Sequence, residues 1–350
     1  MKARLSLTIS IAATMLWSCQ FDDVLSTPSN DGVIRVTSSL TKTESASGTS
    51  TGIPTTSDNF KNNEIIYVWA RKTDGGSTDD YIKAWKLTAN DDKGHFNGDS
   101  KAWPYDGKDL DFHALHGNFD VNDLNDKKWS DLTSLKHTVH QDQSTDENRR
   151  QSDLLYAAKT EAKHGNNVEL SFEHLLAKIT VKLDLSGCQG IESADLNKAT
   201  ISITNIFPDA VLSCSTGTAA NGSGNKTTII AGKITTVLSG VTEIGSAIVP
   251  LQSFGNNENI IQITLYDGRI FSYTPEATNL EKSKEYTYTL KIINGVLSVS
   301  SITVTDFDEI PVVKSWDIYL GELSVSDITV NGLAPTTADK SWDIYKESSE

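Results

Sequence analysis

Several short patterns in this 350-residue sequence bring chemically capable side chains close together. Gly48-Thr49-Ser50-Thr51-Gly52 spells G-x-S-x-G, the spacing that holds a nucleophilic serine on a strained turn between a strand and a helix. Here it lies in Ser/Thr/Gly-rich sequence with neither element beside it, so no nucleophile elbow is expected. His113 with His116, and His137 with His140, are i, i+3 pairs that could each give zinc two ligands. On a strand that spacing sends the two rings to opposite faces, which favours hydrogen-bonded or surface histidines. Asp120, Asn122, Asp123, Asn125 and Asp126 suggest a calcium loop, but the glycine and glutamate that such a loop needs at its sixth and twelfth positions are missing. The Gly-rich run from Gly217 to Thr227 has no lysine at phosphate-loop spacing. No catalytic residues, no metal site and no cofactor are expected.

The clearest chemistry is at the N-terminus. Lys2 and Arg4 precede an apolar run, Leu5 to Leu16, of about a dozen residues, too short for the roughly 20 that span a bilayer. Leu16-Trp17-Ser18-Cys19 resembles a bacterial lipobox. That resemblance implies cleavage between Ser18 and Cys19, and acylation of Cys19 as the new terminus. Buried acyl carbons at about 0.8 kcal/mol each would hold the protein at a membrane surface. Asp22 and Asp23 follow closely and resemble a surface-sorting signal.

The net charge is −15, and loss of Lys2 and Arg4 with the leader takes it to −17. There is no Lys/Arg-rich run, which argues against nucleic acid as a partner. With Cys19 acylated, Cys188 and Cys214 remain. A disulfide is possible in an oxidising compartment, and two free thiols are the favoured alternative.

The elements that would position any site are mostly strands. Gly32 to Thr37 is a β-branched island in a polar tether, followed by a Ser/Thr/Gly stretch from Thr41 to Thr56 that cannot bury a core. Ile65 to Ala70, Tyr81 to Leu87 and Asp111 to Leu115 read as strands. Ala177 to Leu185 alternates apolar and polar residues with a strict period of two, so one face should be buried. Thr200 to Ile206, Ile260 to Tyr266 and Glu285 to Ile293 behave similarly, and Tyr266-Asp267-Gly268-Arg269 carries a hairpin signal. Only Ser152 to Lys163 favours a helix. These signals predict an all-β chain of β-sandwiches with one short helical segment. The expected layout is a leader over 1–18, a tether with a first strand over 19–59, an N-terminal domain over 60–164 and a C-terminal domain over 165–320. The boundary is set at the Lys163 to Asn167 turn.

Residues 321–350 form the last segment because the chain repeats itself there. Leu297-Ser298-Val299-Ser300-Ser301-Ile302-Thr303-Val304 recurs as Leu323-Ser324-Val325-Ser326-Asp327-Ile328-Thr329-Val330, and Lys314 to Tyr319 recurs as Lys340 to Tyr345. The offset is 26 residues in both cases, too few to bury a core alone. In copy two the apolar set is Leu323 and Val325, then Ile328 and Val330. Its phase slips at Asp327, so a bulge or a strand break is required. The expectation is that copy one completes this chain's own domain, while copy two is a donor strand.

Taken together, several segments resemble the fimbrillin family of Bacteroidota, in particular its Mfa-like branch. They are the lipobox, Val33 to Val36, Trp103-Pro104, Leu110 to Ala114, Ser152 to Ala157, and Leu170-Ser171-Phe172-Glu173-His174-Leu175-Leu176-Ala177-Lys178. The resemblance implies two tandem transthyretin-like β-sandwich domains in a type V pilus subunit, with Phe172 and His174 packed at the domain junction. It also implies a lipid-anchored outer-membrane or fimbrial location and other fimbrillin-like subunits as partners. In the family a protease removes the first strand, and a strand from another subunit fills the groove. The usual cleavage arginine is replaced here by Lys42. The alternative is a stand-alone lipid-anchored adhesin that binds glycan or host protein through Trp85, Trp103 and Trp129.

Overall fold

A computed structural model describes residues 32–40, 60–73, 80–91, 93–236 and 238–306. The lipobox with Ser18 and Cys19, the Gly48 to Gly52 pattern, Lys42, and copy two with Leu323, Val325, Ile328 and Val330 lie outside these residues.

The described chain is built almost wholly of strands. The first eight are β1 (Val36–Leu40), β2 (Ile65–Lys72), β3 (Ile82–Ala89), β4 (Phe96–Asn97), β5 (Leu110–His116), β6 (Leu135–Thr138), β7 (Leu155–Ala162) and β8 (Val168–His174). Then come β9 (Ala177–Asp184), β10 (Thr200–Ile206), β11 (Asp209–Ser213), β12 (Thr218–Ala219), β13 (Thr227–Lys233) and β14 (Val241–Val249). The last are β15 (Ser253–Phe254), β16 (Ile261–Thr264), β17 (Ile270–Tyr273), β18 (Thr278–Asn279), β19 (Lys284–Ile293) and β20 (Val296–Asp306). Two short helices, α1 (Val121–Leu124) and α2 (Asp146–Gln151), interrupt them.

Seven strands form one sheet in the order β1-β8-β7-β5-β2-β3-β4. Apolar residues of this sheet, among them Val68, Trp85, Phe112 and Phe172, form one buried cluster with Phe60 and Trp103 from the flanking loops. A second, larger cluster lies between the sheets β13-β10-β16-β17 and β14-β9-β19-β20. Beside it, β6 pairs with the much later β11, and β12 extends that ladder. The alternation in β9 does place Ile179, Val181 and Leu183 at 0% exposure. Thr180, expected on the wet face, is buried too, because its hydroxyl donates to Glu285 Oε1 at 2.6 Å from the neighbouring β19. The Tyr266 to Arg269 turn joins β16 to β17, as its residues predict, with Gly268 at φ +88°.

Three expectations are corrected. Ser152 to Lys163 is not a helix: β7 runs from Leu155, paired with β5 on one side and β8 on the other. Leu, Ala, Lys and Glu favour helix locally, but burial of Leu155, Ala157 and Ala162 in the sheet outweighs that weak preference. The nearby helix is α2, where the Thr145 hydroxyl caps the Asn148 N–H at 3.3 Å. Second, the Lys163 to Asn167 turn connects β7 and β8 inside a single sheet, so that sheet continues to His174. Third, the first regular strand is Val36–Leu40, slightly later than Gly32 to Thr37, with residues 32–35 held by separate hydrogen bonds.

A seated strand and an open edge as the candidate functional site

The chemical patterns are accounted for by packing. His113 stacks on Trp129, with centroids 4.4 Å apart and planes 6° apart, and its Nδ1 lies 3.0 Å from Tyr156 Oη. Burial pushes its pKa down to about 4. His116 is buried, its ring nitrogens against the Ile65 and Arg150 carbonyls at 2.8 and 3.1 Å. His137 is wholly buried: Nε2 donates to the Ser152 carbonyl at 2.9 Å and Nδ1 accepts from the Asn118 N–H at 3.1 Å. Those partners fix a neutral tautomer, and burial holds the pKa at about 4. Asp120 caps α1 by accepting from the Asn122 N–H. Among the described residues no cluster of three His, Cys, Asp or Glu side chains could hold a metal ion. Cys188 and Cys214 are free thiols, and burial raises the Cys214 pKa to about 12.

Of the family-like residues, Phe172 sits in the N-terminal cluster with its ring 4.9 Å from Phe60. His174 ends β8, its Nδ1 2.7 Å from Asp153 Oδ2, while its carbonyl accepts from the Ser283 hydroxyl at 2.5 Å. It therefore ties the end of the seven-stranded sheet to the loop before β19. Trp85 and Trp103 are buried, at 6% and 3% exposure, so neither offers a binding platform; Trp129 is half-buried against Trp69 and His113.

Two features remain that packing alone does not account for. The first is how β1 is held. It pairs in parallel with β8, Val36 opposite Val168 through Leu40 opposite Phe172. The same short segment also bonds on its other side. Ile34 N–H donates to Lys101 O at 2.8 Å, Ser38 N–H to Gly94 O at 2.9 Å, and Trp103 N–H to Gly32 O at 2.8 Å. Thr37 bridges His95, next to β4, so β1 brings the last strand of the sheet back to the first. Closure of this kind removes two free edges at once. Ile34 and Val36 fill the cluster at 3% and 7% exposure, and a cleft of ≈ 420 Å³ elsewhere is smaller than the ≈ 580 Å³ cleft that flanks β1 beside Trp85, Leu87 and Phe96. Ser38 Oγ, Trp85 Nε1 and Trp103 Nε1, all buried around this strand, find no hydrogen-bond partner among the described residues.

The second feature is β20, the edge of its sheet. A two-residue turn at Asn294 (φ +50°) and Gly295 (φ +79°) leads into it from β19. The register shifts between Thr289, opposite Ser301, and Leu290, opposite Val299, which leaves Ser300 as a bulge. Copy one carries the same phase slip that the sequence shows in copy two, and in copy one this bulge resolves it; copy two lies outside the described residues. Directly opposed residues share a face, and Leu297, Val299, Ile302 and Val304 oppose the buried Ile292, Leu290, Tyr288 and Tyr286. All four apolar residues therefore point to the core side. Only Leu297 is covered; Val299, Ile302 and Val304 are 37%, 48% and 52% exposed.

The comparisons with known proteins agree with this architecture. A family model described as fimbrillin-like matches residues 54–306, a span that begins after β1 and ends where β20 ends. No curated protein matches the chain. Among solved structures, a candidate cell adhesion protein from Bacteroides uniformis aligns with TM-score 0.56 at 20% identity, over 80% of this chain and 99% of that one. One from Bacteroides ovatus aligns with TM-score 0.57 at 15% identity, over 79% and 97%. These likenesses establish the fold.

Proposed function

The chain belongs to the fimbrillin-like family, and from that premise we propose that it is a non-catalytic structural subunit of a cell-surface fimbria, joined to its neighbours by exchange of strands. The observation that carries this reading is the seating of β1. A short segment from outside the family-matched body closes the seven-stranded sheet by bonding to both of its ends. Its removal would expose two ladder edges and the apolar slot that Ile34 and Val36 fill, and both features favour capture of another strand. Among the described residues, the Ser38 hydroxyl and the two indole N–H groups have no partner, which supports β1 as an occupant that leaves polar atoms unmet.

The donor in this scheme is copy two, with Leu323, Val325, Ile328 and Val330 as its apolar residues. Copy one, as β20, already completes this chain's own sheet. Export as a lipoprotein through Cys19, release of β1 by cleavage after Lys42, and an outer-membrane or fimbrial location belong to the same proposal. The partners are other fimbrillin-like subunits, and the membrane before maturation. The test is mechanical shearing of cells, followed by immunoblotting of the filament fraction. The protein should appear there, and deletion of residues 321–350 should leave folded monomer that no longer enters it. A protein confined to the membrane fraction would instead support the stand-alone adhesin.

A further inference from the structure

Copy one and copy two offer β19 nearly the same strand. Displaced by 26 residues, copy two repeats the apolar quartet, and Ser326 stands where Ser300 forms the bulge. Apolar face and bulge therefore do not distinguish the copies, and a chain carrying both needs something else to fix which of them is resident.

The difference that removes a side-chain partner of β19 lies at the open end of the ladder. Lys284 and Asp306 are the last opposed pair of β19 and β20, and Lys284 Nζ ion-pairs with Asp306 Oδ1. The Asp306 side chain is only 7% exposed, so this charge-assisted hydrogen bond is shielded from water on the carboxylate side. At the corresponding place in copy two the residue is Gly332, which offers no carboxylate. The copies differ at four further places: Leu320 stands where copy one has Asn294, Glu322 where it has Val296, Asp327 where it has Ser301 and Asn331 where it has Thr305. Those four differences are the same in every variant below.

We propose that Asp306 is the residue that selects copy one over copy two as the resident edge strand of the C-terminal sheet. The inference concerns a single chain and stands whether or not the subunit polymerises, so it goes beyond the proposed function and can fail separately from it.

The experiment reads residence directly in the full-length chain. Thr287 opposes Thr303 on the face away from the buried Tyr286 and Tyr288, and directly opposed positions are close enough for a disulfide. Thr329 would take the place of Thr303 if copy two were resident. A chain carrying Thr287→Cys, Thr303→Cys and Thr329→Cys is oxidised, and the 287–303 and 287–329 disulfides are quantified by peptide mass spectrometry. The 287–303 product should dominate. Asp306→Gly should lower its ratio to 287–329 by roughly tenfold or more, the scale of one charge-assisted hydrogen bond. Gly332→Asp, which leaves the native pair intact, should lower it by a similar factor, and the two changes together should lower it further. The Gly332→Asp arm decides the matter even if Asp306→Gly weakens the domain. A ratio unmoved by Gly332→Asp, or a parent chain in which 287–329 dominates, would overturn the assignment.

Discussion

If β1 is a seated and separable strand, weakening its anchor should release it without unfolding the rest. Ile34→Ala is the simplest perturbation. The side chain is 3% exposed and packs in the cluster that contains Trp85, Trp103 and Phe172. Removing it deletes three carbons, about 2.4 kcal/mol at roughly 0.8 kcal/mol per buried group. A residual cavity brings the usual cost of such a change to about 2–5 kcal/mol. For a strand that can leave by itself, the cost falls on its own docking equilibrium, and about 3 kcal/mol raises the undocked fraction roughly a hundredfold. The assay is native-state hydrogen exchange. Val168 N–H, bonded to Arg35 O at 2.8 Å, and Trp103 N–H, bonded to Gly32 O, are protected only while this segment is seated. Both should exchange about a hundredfold faster in the variant, while amides in the β9–β19 ladder keep their protection. Equal acceleration in both sheets, or none at Val168 and Trp103, would refute the idea that β1 is a separable closing strand.

Three further outcomes follow from the same account. Because His137 has a folded pKa of about 4 against an ordinary 6.5, the unfolded chain binds the extra proton between those values; stability is full above about pH 6.5 and falls towards pH 4 by roughly 3 kcal/mol. In His137→Gln, urea titrations at pH 7 and pH 4.5 should differ less than in the parent, and an unchanged difference would count against the buried neutral ring. Cys19→Ala should abolish incorporation of radiolabelled palmitate and release the protein from membranes, whereas retained label would exclude Cys19 as the anchor. Limiting trypsin should cut first after Lys42, in the Ser/Thr/Gly stretch, and leave a core starting at Thr43; a first cut inside β3, after Lys86, would argue against the strand layout.

Much of this molecule is legible in its sequence where burial is one-sided. Ala177 to Leu185, Thr200 to Ile206 and the Tyr266 to Arg269 turn announce β9, β10 and the β16–β17 hairpin because period and turn chemistry agree. The slip read in copy two at Asp327 is shared by the matching residues of copy one, where it coincides with the bulge at Ser300. Ser152 to Lys163 misleads because helix-favouring residues occupy a strand held between β5 and β8 within the seven-stranded sheet. Lys163 to Asn167 misleads because Gly and Asn mark a hairpin turn as readily as a linker. The second edge gripped by residues 32–38, and the pairing of β6 with β11, leave no periodic trace, since both are long-range contacts of short segments. The candidate site was therefore legible as a strand, but not as a closure.

The most direct test of strand exchange is a displacement measurement on folded protein nicked after Lys42. A fluorescent peptide spanning residues 321–350 is added, and bound peptide and released N-terminal segment are measured together. The nicked protein should take up the peptide as the β1 segment leaves, and the intact protein should take up none. Equal uptake by both forms, or no uptake by the nicked form, would contradict it.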